Sequence, residues 1–369
     1  MTAATTEPTE TAPTPAEPLL QVTDLRTHFE TPGGIVRAVD GVTFSLERGR
    51  TLGIVGESGS GKTVLSRSIM GLHPKRGTIL SGSVRFDGTE IIGLSAKEMR
   101  NFWGARLAMI FQDPMTSLNP VMKIGKQITE SIRQHLDVDR KYADELAENL
   151  LRSVRIPEPE QRLKEYPHQL SGGMRQRVCI AVALACGPAL LFADEPTTAL
   201  DVTVQAQVLD LMAAQQRERF MAVVLITHDL GVVAGRADDI AVMYAGRIVE
   251  KAPTSVLFSG MKMPYTEALL SSIPRLEHAS HTRLATIPGR PPNLVSPPQG
   301  CKFAPRCAYV QDRCLEEEPP LRPGTEPGHE FRCWFPVGTP EGSEALARNR
   351  AAASATTPGV LPGALGGTA

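Results

Sequence analysis

The glycine-rich stretch from Ile54 to Thr63 has the residue types and spacing of a phosphate-binding site. It fits the pattern G-x-x-x-x-G-K-[ST], in which backbone N–H groups and the start of a helix converge on phosphate oxygens. Lys62 could reach the β- and γ-phosphates of a nucleoside triphosphate, and the Thr63 hydroxyl could bind the Mg²⁺ that bridges them. A glycine-rich turn with an ordinary surface lysine would leave this spacing unexplained. The residues expected to contact nucleotide are Gly56, Glu57, Ser58, Gly59, Ser60, Gly61, Lys62 and Thr63.

Two adjacent acids, Asp194 and Glu195, follow the apolar run Leu190 to Ala193. This run predicts a buried strand that delivers both carboxylates to its C-terminal end, where parallel sheets bind ligands. Asp194 would orient Mg²⁺, and Glu195 would polarise the attacking water as a general base. The pair alone could equally cap a helix, but its position downstream of a phosphate loop favours catalysis.

A second anion-binding helix start is predicted at Leu170 to Arg177. Ser171, Gly172 and Gly173 stand immediately before a helical pattern, so a capping hydroxyl and free N–H groups would lie together. A plain helix cap would explain the serine but not both glycines.

With this octapeptide the chain resembles the ATP-binding-cassette (ABC) transporter ATPases, whose signature sequence it matches. The resemblance covers roughly Leu19 to Leu270 and includes three further motifs in the family's order. These are Phe111-Gln112-Asp113 (the Q-loop), Ala199-Leu200-Asp201 (the D-loop) and Ile226-Thr227-His228-Asp229 (the switch histidine).

The resemblance implies a role for each matched residue. Gln112 would contact Mg²⁺ and the attacking water, and His228 would bind a γ-phosphate oxygen, so both join Glu195 as candidate catalytic residues. Phe29 would stack on adenine, although a core position is the alternative for it. The family's head-to-tail dimer would place Ser171, Gly172 and Gly173 against ATP held by the partner, and Asp201 is also assigned to the nucleotide site.

A narrower resemblance is to the oligopeptide/dipeptide importer branch. It is carried by Gln112 to Pro120, Glu195 to Gln205 and Pro264-Tyr265-Thr266. It implies an ATPase that serves two membrane permease subunits and an extracytoplasmic substrate-binding protein, together with a second ATPase that is identical or paralogous. Nickel chelates or another non-peptide solute remain alternative cargoes.

Four cysteines, Cys301, Cys307, Cys314 and Cys333, lie in a short proline-rich segment with few apolar residues. Such a segment needs a cross-link to fold. A cytoplasmic location disfavours disulfides, and the spacing lacks the close C-x₂₋₄-C pairs of most zinc sites. A [4Fe–4S] cluster is therefore preferred, in agreement with the peptide-importer branch, while Zn²⁺ and free thiols stay open.

The elements that must position these residues predict an α/β fold. Apolar runs alternate with helical patterns, which indicates a parallel sheet with helices on both faces. With the resemblance, this gives a P-loop NTPase of the ABC cassette type: a mixed β-sheet core with helices, an antiparallel β entry region and a helical insert. A small C-terminal cysteine-rich extension would follow as a separate element.

The expected domain boundaries follow from changes in composition. Residues 1–18 are rich in Thr, Pro, Ala and Glu, and residues 338–369 in Ala, Gly, Pro and Thr; both are expected to be disordered tails. The ATPase domain should span 19–272, with the helical insert at about 113–170, and the extension should span 273–337.

Charge and hydropathy limit the function classes. The chain has 39 Lys and Arg against 40 Asp and Glu, so no net field attracts nucleic acid. Its longest apolar run is too short to cross a bilayer, and its first 18 residues lack a secretory signal. We expect a protein at the cytoplasmic face of the membrane. A soluble ABC protein of translation or repair and an iron–sulfur redox protein are the rivals.

Overall fold

The described part of the chain forms two β-sheets with helices packed around them. The computed structural model describes residues 17–113, 117–197, 200–273 and 286–356, with side chains to residue 352. The predicted N-terminal tail lies almost wholly outside these residues, as does the end of the chain from residue 357.

Among the described residues, the larger sheet has eight strands, and the phosphate loop follows one of its central strands. Side by side, its strands are β11 (Arg322–Pro323), β12 (Glu330–Phe331), β10 (Arg247–Pro253), β9 (Asp239–Tyr244), β3 (Thr51–Val55), β8 (Ala222–Thr227), β7 (Leu190–Asp194) and β6 (Leu107–Ile110). The five strands from β9 to β6 run parallel, and β10 to β12 are antiparallel. The parallel core predicted from the apolar runs is therefore confirmed, because strands buried on both faces need apolar residues throughout.

Strand β7 shows how both faces are covered. Leu190 and Phe192 pack into one hydrophobic cluster, whereas Leu191 and Ala193 pack into a second cluster on the other face. Successive side chains of a strand point to opposite faces, so one short run contributes to two cores.

The smaller sheet is antiparallel and packs on one face of the main sheet. Its strands, in spatial order, are β2 (Gly34–Leu46), β1 (Leu20–Thr31), β4 (Thr78–Phe86) and β5 (Thr89–Glu90). Asp87 and Gly88 both have positive φ, which is the geometry of the two-residue hairpin predicted from the Asp-Gly pair.

The helices include the predicted insert. In chain order they are α1 (Lys62–Ile69), α2 (Ala96–Met99), α3 (Ile124–His135), α4 (Arg140–Ser153), α5 (Pro159–Arg162), α6 (Gly172–Leu184), α7 (Val202–Arg219), α8 (Leu230–Val233), α9 (Thr254–Gly260), α10 (Pro264–Ser271), α11 (Asp312–Glu316) and α12 (Pro340–Thr356). The insert helix α3 buries Ile124, Ile128 and Ile132, whose spacing of four places them on one face.

The cysteine-rich extension does not form a separate element as predicted. Strand β12 pairs with β10, with Phe331 opposite Glu250, and the side chains of Phe303, Phe331 and Cys333 join a core cluster of the cassette. A segment with so few apolar residues cannot build its own core, so it completes that of its neighbour.

The second tail also differs from the prediction, because α12 occupies Pro340–Thr356. The run contains good helix formers such as Ala, Glu and Arg. It is anchored by Asn349, whose Nδ2 donates to the carbonyls of Ala308 and Val310, and by Ala345, which is buried. The composition of residues 338–369 as a whole does not indicate this helix, because the residues after it are rich in Gly and Pro.

Candidate functional site

The phosphate loop connects β3 to α1, as predicted, and two of its glycines are sterically required. A Cβ on Gly56 would collide with the carbonyl of Met243, and one on Gly61 with the carbonyl of Ala38. Gly61 also has φ +103°, a conformation that side chains disfavour. The loop therefore lies directly against the neighbouring backbone.

Lys62 is buried within this loop. Its Nζ donates to the carbonyls of Gly56 at 2.7 Å and Glu57 at 2.9 Å. Burial lowers the pKa of its ammonium group, although nearby carboxylates oppose this shift. The ammonium group is thus held at the loop by carbonyls that a phosphate could replace.

Thr63 and Asp194 meet at the base of the loop. The Thr63 hydroxyl donates to Asp194 Oδ1 at 3.0 Å, and Oδ2 is buried without a hydrogen-bond partner among the described residues. Burial raises the pKa of Asp194, opposed by the Thr63 hydrogen bond. A buried carboxylate oxygen without a donor fits the binding of Mg²⁺ or its water, so this donor set is suited to the cation.

Glu195, Gln112 and His228 converge where β7, β6 and β8 end. Gln112 Nε2 donates to Glu195 Oε2 at 3.0 Å, and His228 Nδ1 lies 3.3 Å from Glu195 Oε1. These three residues line an open cleft of about 860 Å³ together with Glu57 and Ser58 of the phosphate loop. The three candidate catalytic residues from the sequence are therefore brought together.

The signature residues lie on the surface. Ser171 accepts a hydrogen bond from the Met174 N–H at 3.3 Å and so caps α6. Ser171 and Gly172 are exposed, and a Cβ on Gly172 would meet no atom within 4 Å. Gly173 is closely packed, since a Cβ there would approach Val204 Cγ1 to 2.8 Å. This helix start is open to a second molecule.

Two predicted nucleotide contacts remain predictions. Phe29 lies on β1, partly exposed, with its ring edge against His73 at 5.2 Å between centroids. Asp201 accepts a hydrogen bond from the Val204 N–H at 2.9 Å and caps α7. The partial exposure of Phe29 leaves ring surface for a base, in contrast to a fully buried core residue.

Sequence reasoning missed the residues that hold the loop from behind. Arg306 makes a two-pronged ion pair with Glu57, with N–O distances of 2.6 and 2.9 Å. The Tyr265 hydroxyl accepts a hydrogen bond from the Glu57 N–H at 2.8 Å. Tyr265 belongs to a motif of the family resemblance, but no sequence signal pointed to Arg306.

A buried carboxylate, Asp40, forms a second unpredicted contact between extension and cassette. Arg247 and Lys302 lie 2.8 and 3.2 Å from its Oδ2, and Arg26 lies 2.9 Å from its Oδ1. Burial opposes ionisation, but these cations outweigh it and hold the pKa of Asp40 well below its usual range.

The four cysteines of the extension line one small cavity, together with Met263, Phe303 and Trp334. All four are free thiols. Burial raises the pKa of Cys301 to about 11 and that of Cys307 to about 12, so these thiols are neutral at pH 7. Within the described parts of the chain, no group of three or more His, Cys, Asp or Glu converges as a metal site.

These features define a nucleotide-binding protein of the P-loop class. The family model described as "ABC transporter" matches residues 39–198. A second, "Oligopeptide/dipeptide transporter, C-terminal region", matches residues 249–314.

Curated relatives agree with both models. The oligopeptide transport ATP-binding protein OppD of Bacillus subtilis is 52% identical over 82% of this chain and 85% of its own length. The dipeptide transport ATP-binding protein DppD of Escherichia coli is 48% identical over 86% of this chain and 97% of its own length. The chain belongs to the oligopeptide/dipeptide branch of the ABC transporter ATP-binding proteins.

Solved structures confirm the fold. The dimeric bacterial ABC transporter cassette MJ0796 covers 64% of this chain and 98% of its own, with 25% identity and a TM-score of 0.57. Its post-hydrolysis state with ADP and Pi gives a TM-score of 0.58 at 24% identity. No helix in the described ranges is both long and apolar enough to cross a membrane.

Proposed function

We propose that this chain is the ATP-binding and ATP-hydrolysing subunit of a peptide importer. It would act at the cytoplasmic face of the membrane with two permease subunits, a second ATPase subunit and an extracytoplasmic binding protein. The observation that carries this proposal is the meeting of the phosphate loop with Asp194 and Glu195 in a chain about half identical to peptide-transport proteins. Because those relatives are named for oligopeptides and dipeptides, peptides are favoured over nickel chelates.

The residues of the cleft supply the functions that phosphoryl transfer to water requires. ATP would provide the γ-phosphoryl group, and a bound Mg²⁺ would supply positive charge to its oxygens. Lys62 would exchange its two carbonyl partners for phosphate oxygens, and Thr63 with Asp194 would hold the cation. Glu195 takes a proton from the attacking water, and Gln112 and His228 orient its carboxylate. Gln112 also contacts the water, and His228 contacts the γ-phosphate.

The signature helix acts on a second cassette. Ser171 and Gly172 are exposed on the surface, with open space above Gly172. We place them, with Gly173, against the γ-phosphate that the partner cassette binds. ATP then closes the dimer and hydrolysis releases it, which is a switch driven by the γ-phosphate.

Uptake measurements test this function. Reconstituted with its permeases and binding protein, the wild-type chain should drive uptake of a labelled peptide when MgATP is present. Lys62→Ala should abolish uptake, because the phosphates lose their buried cation. ATP-dependent uptake of a nickel chelate without peptide uptake would favour the alternative cargo.

We also propose that Cys301, Cys307, Cys314 and Cys333 hold a [4Fe–4S] cluster. The support is that all four line one small cavity in a segment that cannot form its own core. Zn²⁺ is the weaker alternative because the cysteine spacing lacks the close C-x₂₋₄-C pairs of most zinc sites. When bound, the cluster would cross-link the segment, with release of the thiol protons.

Metal analysis distinguishes these states. Anaerobically purified protein should be brown, with iron and acid-labile sulfide in near-equal amounts. Cys307→Ser should bleach it and raise protease sensitivity in residues 300–336, whereas Cys186→Ser, outside the segment, should change neither. Colourless protein with stoichiometric zinc would support the alternative, and protein with neither metal would leave four free thiols.

A further inference from the structure

Arg306 connects the extension to the phosphate loop. It ends the short turn Ala304–Arg306, between Cys301 and Cys307 in the chain. Its side chain is 3% exposed, and its two terminal nitrogens reach the two carboxylate oxygens of Glu57. Planar two-pronged pairs of this kind are directional and strong.

The guanidinium group is fixed on its other sides as well. Nε donates to the carbonyl of Pro288 at 2.8 Å, and one terminal nitrogen donates to the Tyr244 hydroxyl at 3.3 Å. The rings of Tyr244 and Phe303 lie about 6 Å from its central carbon. The extension therefore presents a positive charge in one defined orientation.

Glu57 is held within the site at three points. Its side chain pairs with Arg306, its N–H donates to Tyr265, and its carbonyl accepts from Lys62. The residue also lines the cleft that contains Gln112 and Glu195. Without Arg306, the Glu57 carboxylate would be an unpaired negative charge beside the place that a triphosphate occupies.

We propose that Arg306 is a positioning residue for nucleotide binding, so that the C-terminal extension completes the ATP site. Its pairing neutralises Glu57 and fixes the peptide to which Lys62 is bonded. This inference rests on the proposed function, since it concerns the same site. Arg306 immediately precedes Cys307. The folding of the cysteine-containing segment therefore also affects nucleotide affinity.

Titration of the full chain with MgADP tests the inference without turnover or dimer closure. Arg306→Met should weaken MgADP binding on the order of tenfold, because the unpaired Glu57 carboxylate then repels the nucleotide phosphates. Glu57→Gln removes the negative charge, so adding Arg306→Met to Glu57→Gln should lower affinity by no more than about threefold relative to Glu57→Gln alone, as coupled sites predict. Arg306→Lys keeps the positive charge, so its affinity for MgADP should lie between those of wild type and Arg306→Met. Arg348→Met, an exposed arginine of α12 away from the cysteine cavity, is the control and should bind like wild type.

Salt separates electrostatics from misfolding. The defect of Arg306→Met should shrink as ionic strength rises, because screening weakens the repulsion. If Arg306→Met fails to fold, the double variant, which buries no unpaired charge, and Arg306→Lys still decide the question. A double variant that binds tenfold more weakly than Glu57→Gln alone would overturn the inference, as would an Arg306→Met affinity within twofold of wild type.

Lys62→Ala distinguishes this failure from failure of the proposed function. If wild type binds MgADP and Lys62→Ala does not, the nucleotide site stands whatever Arg306 does. If wild type binds no nucleotide, both the function and the inference fall.

Discussion

Glu195 is held in a backbone conformation that few residues other than glycine adopt. Its φ is +46°, and its N–H donates to the carbonyl of Ile226 at 2.9 Å. Its carboxylate lies between Gln112 and His228. Strain of this kind persists where the surroundings fix it, and here it directs the carboxylate into the cleft.

Glu195→Gln should therefore separate binding from hydrolysis. The amide keeps the shape but loses the basicity that activates water, so turnover should fall by roughly 10²–10⁴-fold with nucleotide affinity retained. ATPase rates and ATP-dependent dimers measured by gel filtration check this. Glu148→Gln, on the insert helix α4, is a control that should hydrolyse normally. Normal hydrolysis by Glu195→Gln would remove that residue from the role of base.

Ser171→Arg should leave the chain's own nucleotide site intact but prevent dimer closure. The long cation would fill the open space at the start of α6, where the partner's γ-phosphate is expected. MgADP affinity should stay within about twofold, while ATP-dependent dimers disappear. Ser171→Ala is the control for the added cation: it loses a helix cap of about 1 kcal/mol and one γ-phosphate contact, so it should reduce dimer formation less than Ser171→Arg does. Loss of MgADP affinity in Ser171→Arg would argue against a site shared between chains.

Between elements, Asp40 joins β2 to β10 and to the extension. Asp40→Asn would leave Arg247 and the buried Lys302 facing an amide. Breaking a buried pair in this way costs about 3 kcal/mol or more. Urea unfolding at pH 7 should show this loss of stability, whereas Asp210→Asn, an exposed ion pair of α7, should change it by less than about 1 kcal/mol.

The same variant has a defined pH dependence. The cations hold the pKa of Asp40 below its usual value in the folded protein, so its ionised form stabilises the fold. That contribution is complete above about pH 4, the unfolded value, and is lost as pH falls further toward the folded pKa. The difference between wild type and Asp40→Asn should be constant from pH 5 to 8 and shrink below pH 4. If the difference in unfolding free energy stayed constant below pH 4 as well, the destabilisation by Asp40→Asn would be due to packing rather than to charge.

The elements differ in how far sequence determines them. Strand β7 and the phosphate loop can be predicted from local sequence patterns. Burial on both faces requires a continuous apolar run, and the phosphate loop requires a fixed glycine spacing. Helix α12 was missed because its local propensity was averaged with the residues that follow it. The pair between Glu57 and Arg306 joins residues 249 apart, and nothing in either neighbourhood indicates the other. Such contacts depend on how the extension packs.

At the scale of the whole molecule, the extension closes an edge of the main sheet. Strand β12 covers β10, and β11 in turn covers β12. The buried His329 lies 2.8 Å from Glu250 and reinforces this junction. Unprotected sheet edges favour association with other chains, so the extension also limits aggregation.

Ending the chain after residue 299 should therefore harm the entire cassette. The truncated protein should unfold on the order of 10 °C lower and form aggregates, since a core contribution and an edge cover are both lost. Thermal unfolding and light scattering measure this. A chain ending after residue 356 keeps every described contact and is the control. Equal stability of the two truncated proteins would show that the extension does not stabilise the cassette.

Because the chain is made from its N-terminus, Glu57 is synthesised well before its partner Arg306. A ribosome makes the phosphate loop early and reaches Arg306 only 249 residues later. At roughly 5–20 residues per second, this interval is on the order of ten to fifty seconds. During it, the nascent cassette carries a phosphate loop whose glutamate has no counter-charge. Full nucleotide affinity would thus await a nearly finished chain, and incomplete subunits would bind nucleotide on the order of tenfold more weakly.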